Sequence, residues 1–552
     1  MTQKHNLLSY FPENFDPRPS QIEVLTEIDK AWNSNKKFVI ACLPTGIGKS
    51  HIAYTIANSS LDVELERKSD IQNYEIYKKN RNGEYVYDTK HEGKNRCGSF
   101  IFTITRSLQD QYQEIFEDIV VVKGKNNYKC QVDTNQTADF APCLYTKGLK
   151  ESCFKENICP YYQTRNQGLA SKFSIFNYRS FFNLRNFLQE REIYICDEAD
   201  GIEEELVSQF TLDIGYNFLA SEGIEFEKII SDNSRDAYNW LVDVYSQVKT
   251  KLDEVTQKAS LLSQKKGFDS LHYKQLQQIS KLTRTYNQMS EAIEYWDTCQ
   301  YLVEDKKSER VIFVPYDIRP LAQNIFKRAD KILLMSATLS NHEEYAKSLG
   351  IKKEEYEYIE TDSPFDPNKS PIFCTTRFNL SFKNNQDLYK IVEASLELCE
   401  KHKKEKGIIH THTNLITEAF KKKIGDNPRF LFRQIGVSNE DILEEHKNSS
   451  IPTILISPSL DTGISLDGDL GRFQIITKAP FLPLGSKRIK KKFDNNPQHY
   501  KMKMLNNLVQ MAGRCTRSSK DYSITYILDG IATKSIMTDK NKLPKHFVKR
   551  IQ

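Results

Sequence analysis

The segment Leu43-Pro-Thr-Gly-Ile-Gly-Lys-Ser50 directly follows a short apolar run, Phe38–Cys42. A continuous apolar run predicts a strand buried on both faces, as in parallel sheets. The octapeptide matches a phosphate-binding loop, except that Leu43 stands where the first glycine is usual. Thr45 lies within it, and Gly46 and Gly48 let backbone N–H groups close around phosphate oxygens. Lys49 supplies a cation for β- and γ-phosphates, and the Ser50 hydroxyl a ligand for Mg²⁺. A helix beginning here turns its positive pole toward the same anion. The competing reading is a glycine-rich turn without a ligand. A strand before it and a helix-like segment after it favour the phosphate site.

Similar runs recur at Ser99–Thr103, Ile193–Cys196, Lys331–Met335, Gly407–His410, Thr453–Ile456 and Arg472–Ile476. Most precede a turn and a helix-like segment, which predicts an α/β fold with parallel sheets and right-handed crossovers. A length of 552 residues suggests three or four domains. Hydrophobic residues at 39% and charged residues at 27% suffice for a real core and exclude a disordered or fibrous chain. Met1–Tyr10 has no signal-peptide pattern. No run approaches the ~18 apolar residues of a membrane span. A cytoplasmic location without membrane contact is therefore expected, and the eleven cysteines should be reduced there.

Two further segments could complete a nucleotide site. Asp197-Glu-Ala-Asp200 closes the Ile193–Cys196 run, and ligands of open α/β sheets bind at that strand edge. Asp197 would hold Mg²⁺, and Glu198 would orient or deprotonate an attacking water. An isolated acidic tetrapeptide is usually solvated surface; its place after a strand, downstream of a phosphate loop, argues otherwise. In Gln510-Met-Ala-Gly-Arg-Cys-Thr-Arg517 the two arginines, Arg514 and Arg517, are three apart and share a helix face. Set across a cleft from the loop, they would act as arginine fingers. Read alone, each is an ordinary surface salt-bridge partner.

Cys130, Cys143, Cys153 and Cys159 are spaced C-x12-C-x9-C-x5-C. In a reducing compartment such a cluster reads as metal-binding. Spacing leaves tetrahedral Zn²⁺ and [4Fe–4S] both open. Cys42, Cys196, Cys299, Cys374, Cys399 and Cys515 suit buried free thiols better, and Cys97 is the one outsider able to compete as a ligand. Lys123, Lys125, Tyr128, Lys129, Tyr161 and Tyr162 flank the cluster. Basic and aromatic residues together can track phosphates and stack on unpaired bases, although each is more often ordinary surface.

Two stretches interrupt the strand–helix pattern. Residues 62–96 are polar and read as an excursion. Residues 202–309 lack clear strand signals. There Leu241, Val244, Val248, Leu252, Val255, Ala259 and Leu262 repeat at helical spacing, as do Leu276, Ile279, Leu282, Tyr286, Met289, Ile293 and Trp296, on either side of Gly267. This predicts a long antiparallel helical hairpin. The net charge is only +5, so a nucleic-acid path would need local clusters. Lys487, Arg488, Lys490, Lys491 and Lys492 form one, a run that alone reads as solvated surface.

The order of these motifs resembles the XPD/DinG family of superfamily 2 helicases over most of the chain. Tyr10-Phe-Pro and Arg18-Pro-Ser-Gln21 resemble its adenine-contacting segment, and Thr105-Arg-Ser-Leu-Gln-Asp-Gln111 its motif Ia along DNA. Ser336-Ala-Thr338, Thr462-Gly-Ile-Ser-Leu466 and Gln510–Arg517 resemble motifs III, V and VI. The resemblance implies two RecA-like motor domains with a cysteine-cluster insertion and a helical arch insertion. The expected division is motor 1 over residues 1–120, 171–204 and 311–345, an iron–sulfur domain over 121–170, the arch over 205–310, and motor 2 over 346–552. It further implies ATP, Mg²⁺ and a [4Fe–4S] cluster on the four cysteines. The expected activity is 5′-to-3′ movement on single-stranded DNA with unwinding of forked duplex DNA, by a monomer. Arg18, Gln21, Thr45, Gly46, Gly48, Lys49 and Ser50 would bind the nucleotide, and Lys49, Asp197, Glu198, Gln510, Arg514 and Arg517 would carry hydrolysis. Ser465 departs from the Asp common in motif V, and the 62–96 excursion lengthens the link from the phosphate loop to motif Ia. An N-terminal exonuclease, present in some relatives, is not expected.

Overall fold

The computed structural model describes residues 6–61, 77–79, 85–87, 96–144, 146, 148–184, 189–229, 232–266, 273–305, 309–380, 386–433, 439–458, 466, 468–516 and 520–552. All seven apolar runs form strands, and they fall into two all-parallel sheets. The first sheet runs, edge to edge, Tyr356–Glu360, Phe38–Cys42, Ala329–Ser336, Arg191–Asp197, Ser99–Thr103, Phe173–Asn177 and Val120–Val122. Its central strands are buried along their whole length, which is why they read as unbroken apolar runs. The edge strand Tyr356–Glu360 pairs with Phe38–Cys42 from Phe38↔Tyr356 to Cys42↔Glu360. The first sheet thus reaches beyond residue 345. The mixed polarity of that half-exposed strand (Tyr-Glu-Tyr-Ile-Glu) hid it from apolar-run reading.

The second sheet runs Ile372–Phe378, Ile524–Asp529, Phe473–Ile476, Gly407–His410, Ile454–Ser457 and Phe430–Phe432. Apolar side chains of the two sheets pack against helices in separate cores.

The stretch 202–309 contains the expected hairpin, helices Ser234–Lys266 and Tyr273–Glu294. Its turn, including Gly267, lies outside the described residues. Tyr245 and Tyr286 stack with ring centroids 4.9 Å apart, and Ala259 packs with Leu276 and Ile279 further along. The absence of strands expected there is corrected. Leu212–Gly215 and Tyr301–Asp305 flank Arg310–Pro315 in an antiparallel three-stranded sheet. Leu212–Gly215 and Tyr301–Asp305 are short and alternate with acidic residues, so they present no continuous apolar run. Of the 62–96 excursion, a short pairing of Tyr77–Lys79 with Tyr85–Tyr87 and the terminal Arg96 are described; Arg96 bonds Asp330 at 2.9 Å. No described helix is long and apolar enough to cross a membrane.

Candidate active site

The phosphate loop joins Phe38–Cys42 to the helix Lys49–Asn58. Leu43 is fully buried and its N–H donates to the Ser336 carbonyl at 2.8 Å, so this position serves the core. Gly46 and Gly48 have φ of +86° and +88°, a region that penalises any side chain. A Cβ on Gly46 would stand 2.1 Å from the Phe365 ring, and one on Gly48 2.3 Å from Gln21 Nε2. The loop is thus packed from outside by the segments expected to hold the base. Arg18 donates to the Gly46 carbonyl at 2.6 Å, and Gln21 to the Gly48 carbonyl at 3.4 Å. The Gln21 side chain also accepts from the Arg18 N–H at 2.9 Å, which ties the start of helix Pro19–Asn33 to the loop. The rings of Phe11 and Phe15 surround His51, with centroids 6.2 and 4.6 Å away.

Asp197 ends a fully embedded strand of the first sheet. Tyr112 donates to its Oδ2 at 3.0 Å, and the Glu198 N–H to its Oδ1 at 2.9 Å. Burial raises the Asp197 carboxyl, opposed by Lys49 and Tyr112. Glu198 has a left-handed backbone, φ +52°. Burial first, then Asp197 and Asp200, push its carboxyl up to about 7, against the pull of Lys49 and Arg514. Two adjacent acidic side chains lining the same cleft suit a cation ligand and a water-orienting group. Asp200 accepts from both Ser336 and Thr338 at 2.6 Å, which locks the acidic motif to the Ser336-Ala-Thr338 turn.

The third group arrives from the second sheet's side. Gln510 lies near the end of helix Pro497–Ala512, and Gly513 and Arg514 follow. One cleft of about 810 Å³ between the two sheets is lined by Thr45, Gly46, Gly48, Lys49, Ser50, Asp197, Glu198, Gln510 and Arg514, with Arg18 and Gln21 at its side. The expected residues therefore converge, with two exceptions: Arg517 and the stretch Thr462–Ser465 lie outside the described residues, while Leu466 is buried in the core. From the Thr105–Gln111 segment, Leu108 and Gln111 face this same cleft.

Several contributors escaped sequence reading. Phe365 and Tyr112 sit in segments without a motif, and only folding brings them to the loop and to Asp197. The basic run 487–492 is neither open surface nor a free cluster. Arg488 is buried and bonds Glu203 at 2.6 Å, Lys492 reaches the same carboxylate at 3.0 Å, and Lys487 bonds Asp232 at 2.7 Å. The spacing of like charges could not reveal acidic partners more than 180 residues away.

Cys130, Cys143, Cys153 and Cys159 line one small cavity walled by Val132, Ala138, Pro142 and Leu149. Burial pushes the Cys153 thiol up to about 11, and Cys143, Cys159 and Cys130 each add to the rise. The four sulfurs therefore lie within electrostatic reach of one another. Among the described residues, no three His, Cys, Asp or Glu side chains close around a single ion. Cys97 is buried and does not line this cavity; Cys42, Cys196, Cys299, Cys399 and Cys515 are buried, and Cys374 is half-buried. Of the flanking residues, Lys123 pairs with Asp110 at 2.7 Å, and Lys125 lies 5.4 Å above the Tyr161 ring, which Tyr128 meets edge-on.

Residues 397–549 match the family of helicase C-terminal domains. In three dimensions the chain is similar to an XPD helicase, with TM-score 0.57 and 15% identity, over 95% of this chain and 98% of that one. It is similar to an apo XPD with TM-score 0.52 and 13% identity, over 93% and 98%. Xpd4 of S. tokodaii gives TM-score 0.52 and 13% identity, over 97% and 99%. At these identities the likeness is one of fold. No curated protein matches the chain.

Proposed function

We propose that this chain, XPD/DinG-like in fold and carrying a helicase C-terminal domain, is an ATP-driven DNA helicase. The carrying observation is the convergence of Lys49, Ser50, Asp197, Glu198 and Arg514 on one cleft between two parallel sheets. Lys49 and the loop N–H groups would bind the β- and γ-phosphates. Ser50 and Asp197 would hold Mg²⁺, which neutralises charge between the phosphates. Glu198 would orient the attacking water, and Gln510, Arg514 and Arg517 would meet the γ-phosphate from the second motor. Arg18 and Gln21, with Phe11 and Phe15 beside them, would hold the base.

Single-stranded DNA would lie across both motors, with 5′-to-3′ movement. The proposed domain division is motor 1 over 1–120, 171–204 and 311–360, so as to include the edge strand Tyr356–Glu360 of the first sheet, with the cysteine domain over 121–170, the arch over 205–310 and motor 2 after residue 360. The helical arch and the cysteine domain would part the strands of a forked duplex. Four thiols lining one cavity would hold a [4Fe–4S] cluster, the group that the resemblance to XPD/DinG helicases implies. When bound, it would cross-link a domain with little core of its own. Asp200, held by Ser336 and Thr338, would relay the nucleotide state toward the DNA path.

The test is ATP hydrolysis with and without single-stranded DNA on anaerobically purified protein, with iron and zinc counted and forked substrates bearing 5′ or 3′ tails. Strong DNA stimulation, about four irons per chain and unwinding of the 5′-tailed fork are expected. Translocation without strand separation would reduce the reading to a DNA translocase or remodeller. One zinc and no DNA stimulation would replace it with a zinc-stabilised binding protein.

A further inference from the structure

Three residues beyond the acidic motif, Glu203 is buried against helices Lys487–Asn495 and Pro497–Ala512 of the second motor. Its single carboxylate meets three cationic side chains and an imidazole: Arg488 at 2.6 Å, Lys492 at 3.0 Å and Lys503 at 3.3 Å, with His499 at 3.1 Å. Lys503 also reaches Glu204 at 2.8 Å and the Asp200 carbonyl at 3.5 Å. One turn on, Asn506 accepts from the Ser340 N–H at 2.9 Å, just past the Ser336-Ala-Thr338 turn that holds Asp200. The side chains of Arg488 and Lys503 are almost wholly out of solvent. A buried charge stays charged only when paired and hydrogen-bonded, so these four groups hold the carboxylate as much as it holds them. Burial alone would push the Glu203 carboxyl up; Lys503, His499 and Lys492 outweigh it and keep it well below the usual carboxylate range.

Helix Pro497–Ala512 thus has two jobs on one rigid rod. It is fastened at His499 and Lys503 to Glu203 and Glu204, just beyond the acidic motif, and at Asn506 to the Ser340 N–H. Its far end presents Gln510, and Arg514 just beyond it, to the nucleotide cleft. Seven residues separate Lys503 from Gln510, about two helical turns. A rod fixed at one end fixes the other.

We infer that Glu203, through Lys503 and its three other partners, is a positioning residue that sets Arg514 against the γ-phosphate site. The inference rests on the proposed ATP-driven reading and names the device that aligns the two motors for hydrolysis. Arg488 and Lys492 of the basic run then serve motor alignment.

The test uses the full chain and DNA-stimulated ATPase. Glu203→Gln should lower kcat at least about tenfold while KM for ATP moves less than about threefold, because the phosphate loop is untouched. Lys503→Met should do the same and Lys503→Arg should restore kcat. The combined Glu203→Gln/Arg514→Ala variant should be no slower than Arg514→Ala alone, since Glu203 acts through that arginine. Thermal melting identifies any variant that fails to fold; if Glu203→Gln is one, the Lys503 pair carries the same comparison. Full kcat in folded Glu203→Gln or Lys503→Met, or losses that multiply in the combined variant, would overturn the inference. An Arg514→Ala variant with undiminished ATPase would instead sink the hydrolysis assignment beneath it.

Discussion

At the residue scale, the site depends on groups whose places are fixed by backbone or burial rather than by reach. Lys49 follows two glycines that no other residue could replace without meeting Phe365 or Gln21. Its removal takes the central cation from the cleft and leaves the fold. Lys49→Ala is expected to lower DNA-stimulated kcat at least about a hundredfold with an unchanged melting temperature, read by coupled ATPase assay and calorimetry. Retained hydrolysis would remove the loop from the reaction. His410, at the end of a central strand, is buried, and burial first, then Arg514, lowers its imidazole to about 4. The unfolded value is about 6.5. A base depressed on folding contributes stability that is complete above pH 6.5 and lost as pH falls toward 4. The difference amounts to about 2 kcal/mol between pH 7 and pH 5. Denaturant midpoints of His410→Gln should therefore fall less over that range than those of the unaltered chain; parallel curves would refute this origin.

At the element scale, the basic run illustrates how partners redefine a motif. Helix Lys487–Asn495 starts with N–H groups of Lys487 and Arg488 donating to Glu304 at 2.8 and 2.9 Å, an acid at a helix N-terminus. Arg488 also donates to the Pro315 carbonyl at 3.1 Å. The helix is thus pinned to the three-stranded sheet and to Glu203. Arg488→Met should cost about 1–3 kcal/mol in denaturant unfolding, from buried acceptors left unmet. It should leave the salt slope of single-strand binding unchanged, whereas loss of a phosphate contact would reduce that slope by about 0.7. The hairpin behaves oppositely. Its apolar stripes predicted both helices and their pairing, because helical periodicity is local, and the same stripes also enter the larger core beside the sheets.

At the scale of the molecule, the first sheet and the helical insertion share one apolar core, which Met502 of helix Pro497–Ala512 also enters, and buried polar links such as Glu203–Arg488 add to it. Cys143→Ser removes one of four sulfurs around a cavity that shares no lining residue with the candidate nucleotide cleft. Iron content and unwinding of a forked duplex should both be lost, with ATPase reduced less than about tenfold. A variant that keeps iron and full unwinding would show that Cys143 is no ligand. Much of the site was legible because its motifs lie at the ends of regular elements, where backbone geometry and chemistry coincide: Gly46–Ser50 and Asp197–Glu198 at strand ends, and Gln510–Arg514 at a helix end. The edge strand Tyr356–Glu360 and the short strands Leu212–Gly215 and Tyr301–Asp305 were not, since half-exposed or alternating strands carry no continuous apolar signal.

The sequence by itself determined the parallel α/β frame, the phosphate loop, the acidic pair and the four-cysteine set, because each rests on residues close together along the chain. Only the tertiary structure decided that Phe365 closes over Gly46, that Tyr112 serves Asp197, and that Glu203 gathers Arg488, Lys492, His499 and Lys503 from helices Lys487–Asn495 and Pro497–Ala512. Those contacts join residues that are tens to hundreds of positions apart. Nothing in the local pattern of either partner encodes the other, and burial in a shared core supplies the reason they must meet.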